Sequence, residues 1–330
     1  MTYATITGIG SYLPARVLTN DELSQMVDTN DEWIVSRTGI RERRLAEPDE
    51  TTSTMAAAAG ASAIADAGLT AADIDFLVVG TGSPDHIMPS TAALTQDLLG
   101  LKCGAVDVMA ACTSFITALH HGASLIEAGR ASRVLVIGSD ALTRHIDFTD
   151  RRTCVLFGDG AGAVVLEVSE EAGVLGIDIG ADGSGAGVLT IPAGGSAAPC
   201  TAERVEAGEH FLKMSGGDVF KFAVRVIPDT TRRALELSGL AVDDLTWLVP
   251  HQANQRILDA VAPRLGIDPA RVFSNVELLG NTSAASIPLA LHDLYTGGHL
   301  HRGDVLALVG FGAGLTWGAA VVRWTKGPIE

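Results

Sequence analysis

The sequence predicts a layered α/β protein made of two duplicated halves, and three observations lead there. Glycine is abundant, 37 of 330 residues, and aromatic residues make up only 5%, which suits strands and helices joined by short turns. The stretch AIADAGLTAADIDFLVVG at 63–80 aligns without a gap with ALELSGLAVDDLTWLVPH at 234–251. Further along, RVLVIGSD at 133–140 resembles DVLALVGF at 304–311, in the same order. A period near half the chain is too long for a solenoid. It reads as a duplication: residues 1–172 form one half and 173–330 the other, each a mostly parallel sheet with covering helices.

Composition narrows the function classes. The formal net charge of −16 repels phosphates, so nucleic acid and anionic membranes are excluded as expected partners. A phosphorylated ligand would need a local cluster of basic side chains. The cysteines Cys103, Cys112, Cys154 and Cys200 contain no C-x-x-C pair and read as free thiols in a reducing compartment. With MTYATITGIGSYLP going straight into a strand-and-turn pattern, a cytoplasmic location is expected. Residues 305–322 are uncharged for the length of a membrane span, but their clustered glycines predict two buried strands joined by a turn.

In chain order, the first repeat shows a helix end, a Gly68-Leu69 stop, an acidic turn at Asp73 and the buried strand FLVV. Gly68 and its counterpart Gly239 suit a helix C′ position, which needs positive φ. Next, AVDVMA is strand-like, and Phe115, Ile116, Leu119 and Ile126 recur at helical spacing until Gly129. Cys112 therefore lies at a strand-to-helix turn. There the positive end of the helix should lower its thiol pKa, and its own N–H can face a developing oxyanion. The triplet Cys112-Thr113-Ser114 stands where Asn281-Thr282-Ser283 stands in the second half. FGDGAGAVVLEV at 157–168 similarly matches FGAGLTWGAAVVRW at 311–324. Both glycine-rich runs lead into strands rather than helices, so neither reads as a dinucleotide loop. The segment 181–217 reads as loop near a site mouth. His251 closes the second-half strand LTWLVP at its carboxyl end, where open α/β sheets place ligands. No metal is expected, since the adjacent His120 and His121 diverge on a helix.

Taken together, Cys112 in AAC-x-x-F, His251 in PHQAN-x-RI and Asn281 in GNTSAAS resemble the catalytic signatures of the β-ketoacyl-acyl-carrier-protein synthase III family of the thiolase superfamily. DEWIVSRTGIRERR at 31–44, FGDGAGA at 157–163 and GFGAGLTWG at 310–318 extend the resemblance over essentially the whole chain. It implies a thiolase-like fold with α-β-α-β-α layering. It implies an acyltransferase in which an acyl group moves from acyl-coenzyme A to Cys112, followed by decarboxylative Claisen condensation with malonyl-acyl-carrier protein. Fatty-acid or polyketide synthesis would start there. An acyltransferase of secondary metabolism with a different acceptor is the alternative.

Residue by residue, the resemblance implies that His251 and Asn281 donate hydrogen bonds to the enolate left by decarboxylation. The Cys112 and Gly312 N–H groups would form an oxyanion hole. Trp33, Arg37 and Arg151 would clamp coenzyme A, with Arg152 an alternative to Arg151. Phe220 would line the site near the leaving carboxylate, and Asn254 would orient His251 or bind the pantetheine arm. Met88 would bound the acyl pocket across a homodimer. Arg256 and Lys221 would contact the acyl carrier protein. No permanently bound cofactor is implied; acyl-coenzyme A and the malonyl carrier protein are substrates. Thr113 and Ser114 are larger than the family's usual residues beside the nucleophile.

Overall fold

The computed structural model describes residues 2–327. In the first half the chain forms β1 (Tyr3–Tyr12), α1 (Asp31–Thr38), α2 (Thr52–Asp66), β2 (Phe76–Gly80), β3 (Gly104–Val108), α3 (Ser114–Glu127), β4 (Arg133–Asp140) and β5 (Gly160–Ser169). In the second half it forms β6 (Val174–Ala181), α4 (Gly216–Leu237), β7 (Trp247–Pro250), α5 (Gln255–Leu265), α6 (Ser286–Thr296), β8 (Val305–Gly312) and β9 (Thr316–Arg323). Residues 305–322 are thus the antiparallel pair β8–β9, the buried-strand reading of the apolar run.

The first sheet runs β1-β5-β4-β2-β3 and the second β6-β9-β8-β7. The same order therefore appears twice. Where a fifth strand would complete the second sheet, a single parallel bridge joins Leu248 to Val272. The mostly parallel sheets expected from the repeat are mixed instead. β2 pairs in parallel with β3 and β4, and β7 with β8, but β5 and β9 run antiparallel to both their neighbours. Periodicity reports that a strand is buried on both faces; it does not report the direction of its neighbours.

Helix α2 covers the outer face of the first sheet, and α4 with α5 that of the second. Helices α3 and α6 lie between the sheets and touch both. The layering is α-β-α-β-α. In the central layer Phe115, Ile116 and Leu119 of α3 share one buried cluster with Leu291 and Leu294 of α6, all fully buried. Burying each such side chain contributes about 1.5–3 kcal/mol. The repeat's punctuation holds, with Gly68 and Gly239 at φ 70° and 68° just past α2 and α4.

The central helices begin at the same place. Ala111 and Ser283, the two non-glycine residues with positive φ (49° and 50°) among those described, each open a 3-10 turn that leads into α3 or α6. These residues are the structural equivalents. Cys112 corresponds to Ala284, so the pairing of Cys112 with Asn281 slips by three residues. The long segment 181–217 is not pure loop: it holds a short helix, Ala202–Glu206, and a two-residue strand pair, Leu189–Thr190 with Lys213–Met214.

Candidate active site

Cys112, His251, Asn281 and Gly312 line one cavity of about 460 Å³, together with Phe220, Lys221, Asn254 and Arg256. The residues arrive from different elements. Cys112 comes from the turn before α3, Asn281 from the turn before α6, His251 from the end of β7 and Gly312 from the end of β8. A second cavity of about 430 Å³ meets the first at Cys112; it is mainly apolar and lined in part by Met109, Leu142, Leu189 and Leu212.

Close backbone approach makes this convergence possible. A Cβ on Gly312 would lie 2.8 Å from the Cys112 nitrogen, so only glycine lets the strand end reach the nucleophile turn. A Cβ on Gly80, at the end of β2, would lie 2.6 Å from the carbonyl carbon of Ser114 where α3 begins. Asn281 is strapped in place: its N–H donates to the Leu156 carbonyl at 2.8 Å, and its own carbonyl accepts from Gly158 at 3.0 Å. Its side-chain Oδ1 accepts from the Ser283 N–H at 2.9 Å.

Burial governs the charges. The expected lowering of the Cys112 pKa by helix α3 does not prevail. α3 starts two residues later, at Ser114, and burial pushes the thiol up to about 12. The hydrogen bond from Ser283, whose hydroxyl donates to Sγ at 3.4 Å, acts in the opposite direction, and the Asp140 carboxylate adds to the rise. His251 is equally enclosed and burial holds it down to about 3, so the imidazole is neutral. Its Nδ1 shares a 2.6 Å hydrogen bond with the Ser286 hydroxyl, and its ring packs edge-on to Phe311 at 5.4 Å between centroids.

Asn254 does not orient His251. Its Oδ1 accepts from the Arg256 N–H, capping α5, and its Nδ2 donates to the Arg37 carbonyl at 3.1 Å. The Arg151 guanidinium sits over the Trp33 ring at 5.1 Å, whereas Arg152 is held by Asp150. Arg151 also donates to the Asp28 carbonyl at 2.9 Å. Arg37 is exposed on α1, and neither it, Trp33 nor Arg151 lines the Cys112 cavity. Arg256 lies over the Phe220 ring at 5.7 Å, and Lys221 pairs with Asp218 at 3.3 Å. Met88 is exposed and lines neither cavity of its own chain. The hydroxyls of Thr113 and Ser114 bond to Ala110, donating to its carbonyl and accepting from its N–H, so both brace the turn. Among the described residues no cluster of three or more His, Cys, Asp or Glu side chains is placed to hold a metal.

Family models for 3-oxoacyl-[acyl-carrier-protein] synthase III match residues 106–183, and the C-terminal model of the same family matches 235–324. A β-ketoacyl-[acyl-carrier-protein] synthase III of Desulfitobacterium hafniense is 50% identical over 323 residues, 97% of this chain and 98% of the relative. The chain belongs to the 3-oxoacyl-[acyl-carrier-protein] synthase III family. Its activity is that of a β-ketoacyl-acyl-carrier-protein synthase, an acyl-transferring enzyme. The crystal structure of the Aquifex aeolicus synthase III superposes on this synthase with a TM-score of 0.90 at 42% identity, covering 97% of this chain and 100% of that one. A priming β-ketosynthase of the R1128 polyketide pathway does so at 0.91 and 38%, covering 99% and 97%. The same layered frame is thus found in synthases of both kinds.

Sequence reasoning missed Ser283, Ser286 and Asp140. The two serines stand inside GNTSAAS, but only the structure shows which hydroxyl turns inward. Asp140 is fully buried beneath the site, where Thr81, Gly82, Ser83 and Ala284 all donate to it.

Proposed function

We propose that Cys112 carries the acyl group between two half-reactions, with acyl-coenzyme A as donor and the malonyl-acyl-carrier protein as acceptor. The supporting observation is the single cavity lined by Cys112, His251, Asn281 and Gly312. In the first half-reaction the Cys112 sulfur attacks the thioester carbonyl. The oxyanion is held by the Cys112 and Gly312 N–H groups, and the thiol proton leaves with coenzyme A. Trp33, Arg37 and Arg151 hold the nucleotide end of coenzyme A, with Arg151 favoured over Arg152 because its guanidinium lies over the Trp33 ring. Asn254 and Phe220 flank the pantetheine and malonyl groups.

In the second half-reaction the malonyl C–C bond breaks, carbon dioxide departs and the electron pair becomes an enolate. His251 donates to the enolate oxygen through Nε2–H. That tautomer requires Nδ1 to accept, so the Ser286 hydroxyl is its donor. The Asn281 Oδ1 is occupied by the Ser283 N–H, which leaves the NH₂ to donate as well. Neither group serves as a base, which suits decarboxylation rather than hydrolysis. The carbanion attacks the acyl-enzyme, and the tetrahedral intermediate expels the Cys112 thiolate, which takes up one proton from solvent.

Arg256 and Lys221 at the cavity mouth give an acidic chain a local basic patch for the carrier protein. Exposed Ile87, Met88 and Met109 favour a homodimer in which Met88 bounds the partner's acyl pocket. The enzyme works in the cytoplasm. Incubation with acyl-coenzyme A should add the acyl mass to Cys112. Adding malonyl-carrier protein should then release carbon dioxide and discharge the adduct. An unmodified Cys112, or discharge without carbon dioxide, would defeat the assignment.

A further inference from the structure

Ser283 is fully enclosed, at 2% exposure, and holds a backbone conformation that L-residues other than Asn, Asp and His seldom adopt, φ 50°. Such an outlier persists only when its surroundings impose it, and here they are visible. The next N–H, of Ala284, donates to the buried Asp140 carboxylate at 2.8 Å. The Ser283 N–H donates to Asn281 Oδ1. Between them these bonds turn the Ser283 side chain towards the nucleophile, where its hydroxyl donates to Cys112 Sγ at 3.4 Å. The hydroxyl lies on the side of the second, apolar cavity, and His251 and Asn281 on the side of the first. The sulfur is thus approached from both cavities.

We propose that Ser283 is a further catalytic residue, whose hydroxyl holds the negative charge on the Cys112 sulfur as it attacks the acyl thioester and as it is expelled after condensation. This rests on Cys112 being the nucleophile. A buried thiolate without a donor is costly, and a hydrogen bond to a charged group commonly contributes a factor of about ten or more in rate. The duplicated turns divide the labour. In the first, the residue after the strained position supplies the nucleophile. In the second, the strained residue itself supplies the donor, and its neighbour's N–H is spent on Asp140.

The test separates half-reactions. Acyl-coenzyme A is mixed with the full-length protein, and the Cys112 adduct is timed by mass spectrometry; malonyl-carrier-protein decarboxylation is timed separately by carbon dioxide release. S283A should acylate about tenfold more slowly, with a smaller loss in decarboxylation, because the backbone N–H that orients Asn281 remains. S283G, which relaxes the positive φ, should be as slow as S283A. Acylation by S283A at the wild-type rate, equal losses in both half-reactions, or recovery in S283G would each overturn the proposal. Absence of any Cys112 adduct in the unmodified protein would instead overturn the nucleophile assignment on which it rests.

Discussion

His251 and Cys112 are both buried, at 1% and 6% exposure, and burial favours the uncharged form of each near neutral pH. For the thiol this has a measurable sign. Burial raises its pKa to about 12, so the thiolate fraction at pH 7 is minute and grows about tenfold per pH unit. Alkylation of Cys112 by iodoacetamide should therefore climb steadily from pH 7 to pH 10 without levelling off; a plateau near neutrality would show that the helix end dominates after all. At this scale the sequence was informative about identity and silent about environment. Cys112, His251 and Asn281 were legible because each opens a recognisable string. Ser286 and Asp140 were not, because whether a serine or aspartate turns inward depends on backbone turns that residue type does not announce. The larger Thr113 and Ser114 looked like intruders beside the thiol, yet both hydroxyls bond to Ala110, and that of Thr113 to Thr316 as well.

Strand ends and helix starts meet at the site, and their fit is governed by a few atoms. Gly80 ends β2 against the first turn of α3, where a Cβ would meet the Ser114 carbonyl carbon at 2.6 Å. Backbone on both sides cannot yield, so Gly80→Ala should destabilise the fold by about 1–3 kcal/mol and shift the Cys112 turn. Urea denaturation, read beside acyl-enzyme yield, measures both; a variant as stable and as easily acylated as the parent would refute the fit. Element existence was readable from periodicity and from the Gly-Leu stops that close α2 and α4. The correspondence of the two site turns was misread by three residues. Matching side chains, C-T-S with N-T-S, pointed one way. Matching backbone pointed the other, through positive φ at Ala111 and Ser283, and neither residue is the glycine that would have signalled it.

Across the whole molecule, the duplicated architecture was legible in the repeat, whereas strand direction was not, since buried strands look alike in either orientation. Keeping an uncharged imidazole inside also affects stability. His251 is held at about 3 when folded, against about 6.5 when unfolded, so the unfolded chain binds the extra proton between those values. Stability from this group is complete above about pH 6.5 and drains away as the pH falls towards 3. Between pH 7 and pH 5 the loss is about 2 kcal/mol. His251→Gln should lack that share of the acid sensitivity in denaturant titrations at the two pH values; an unchanged slope would count against it. Finally, the rungs that fasten Asn281 to Leu156 and Gly158 cross from one copy of the duplicated fold to the other. A protein severed at the seam would thus have to regain its catalytic competence by reassociation, with turnover returning only as fast as the two pieces find and clasp each other.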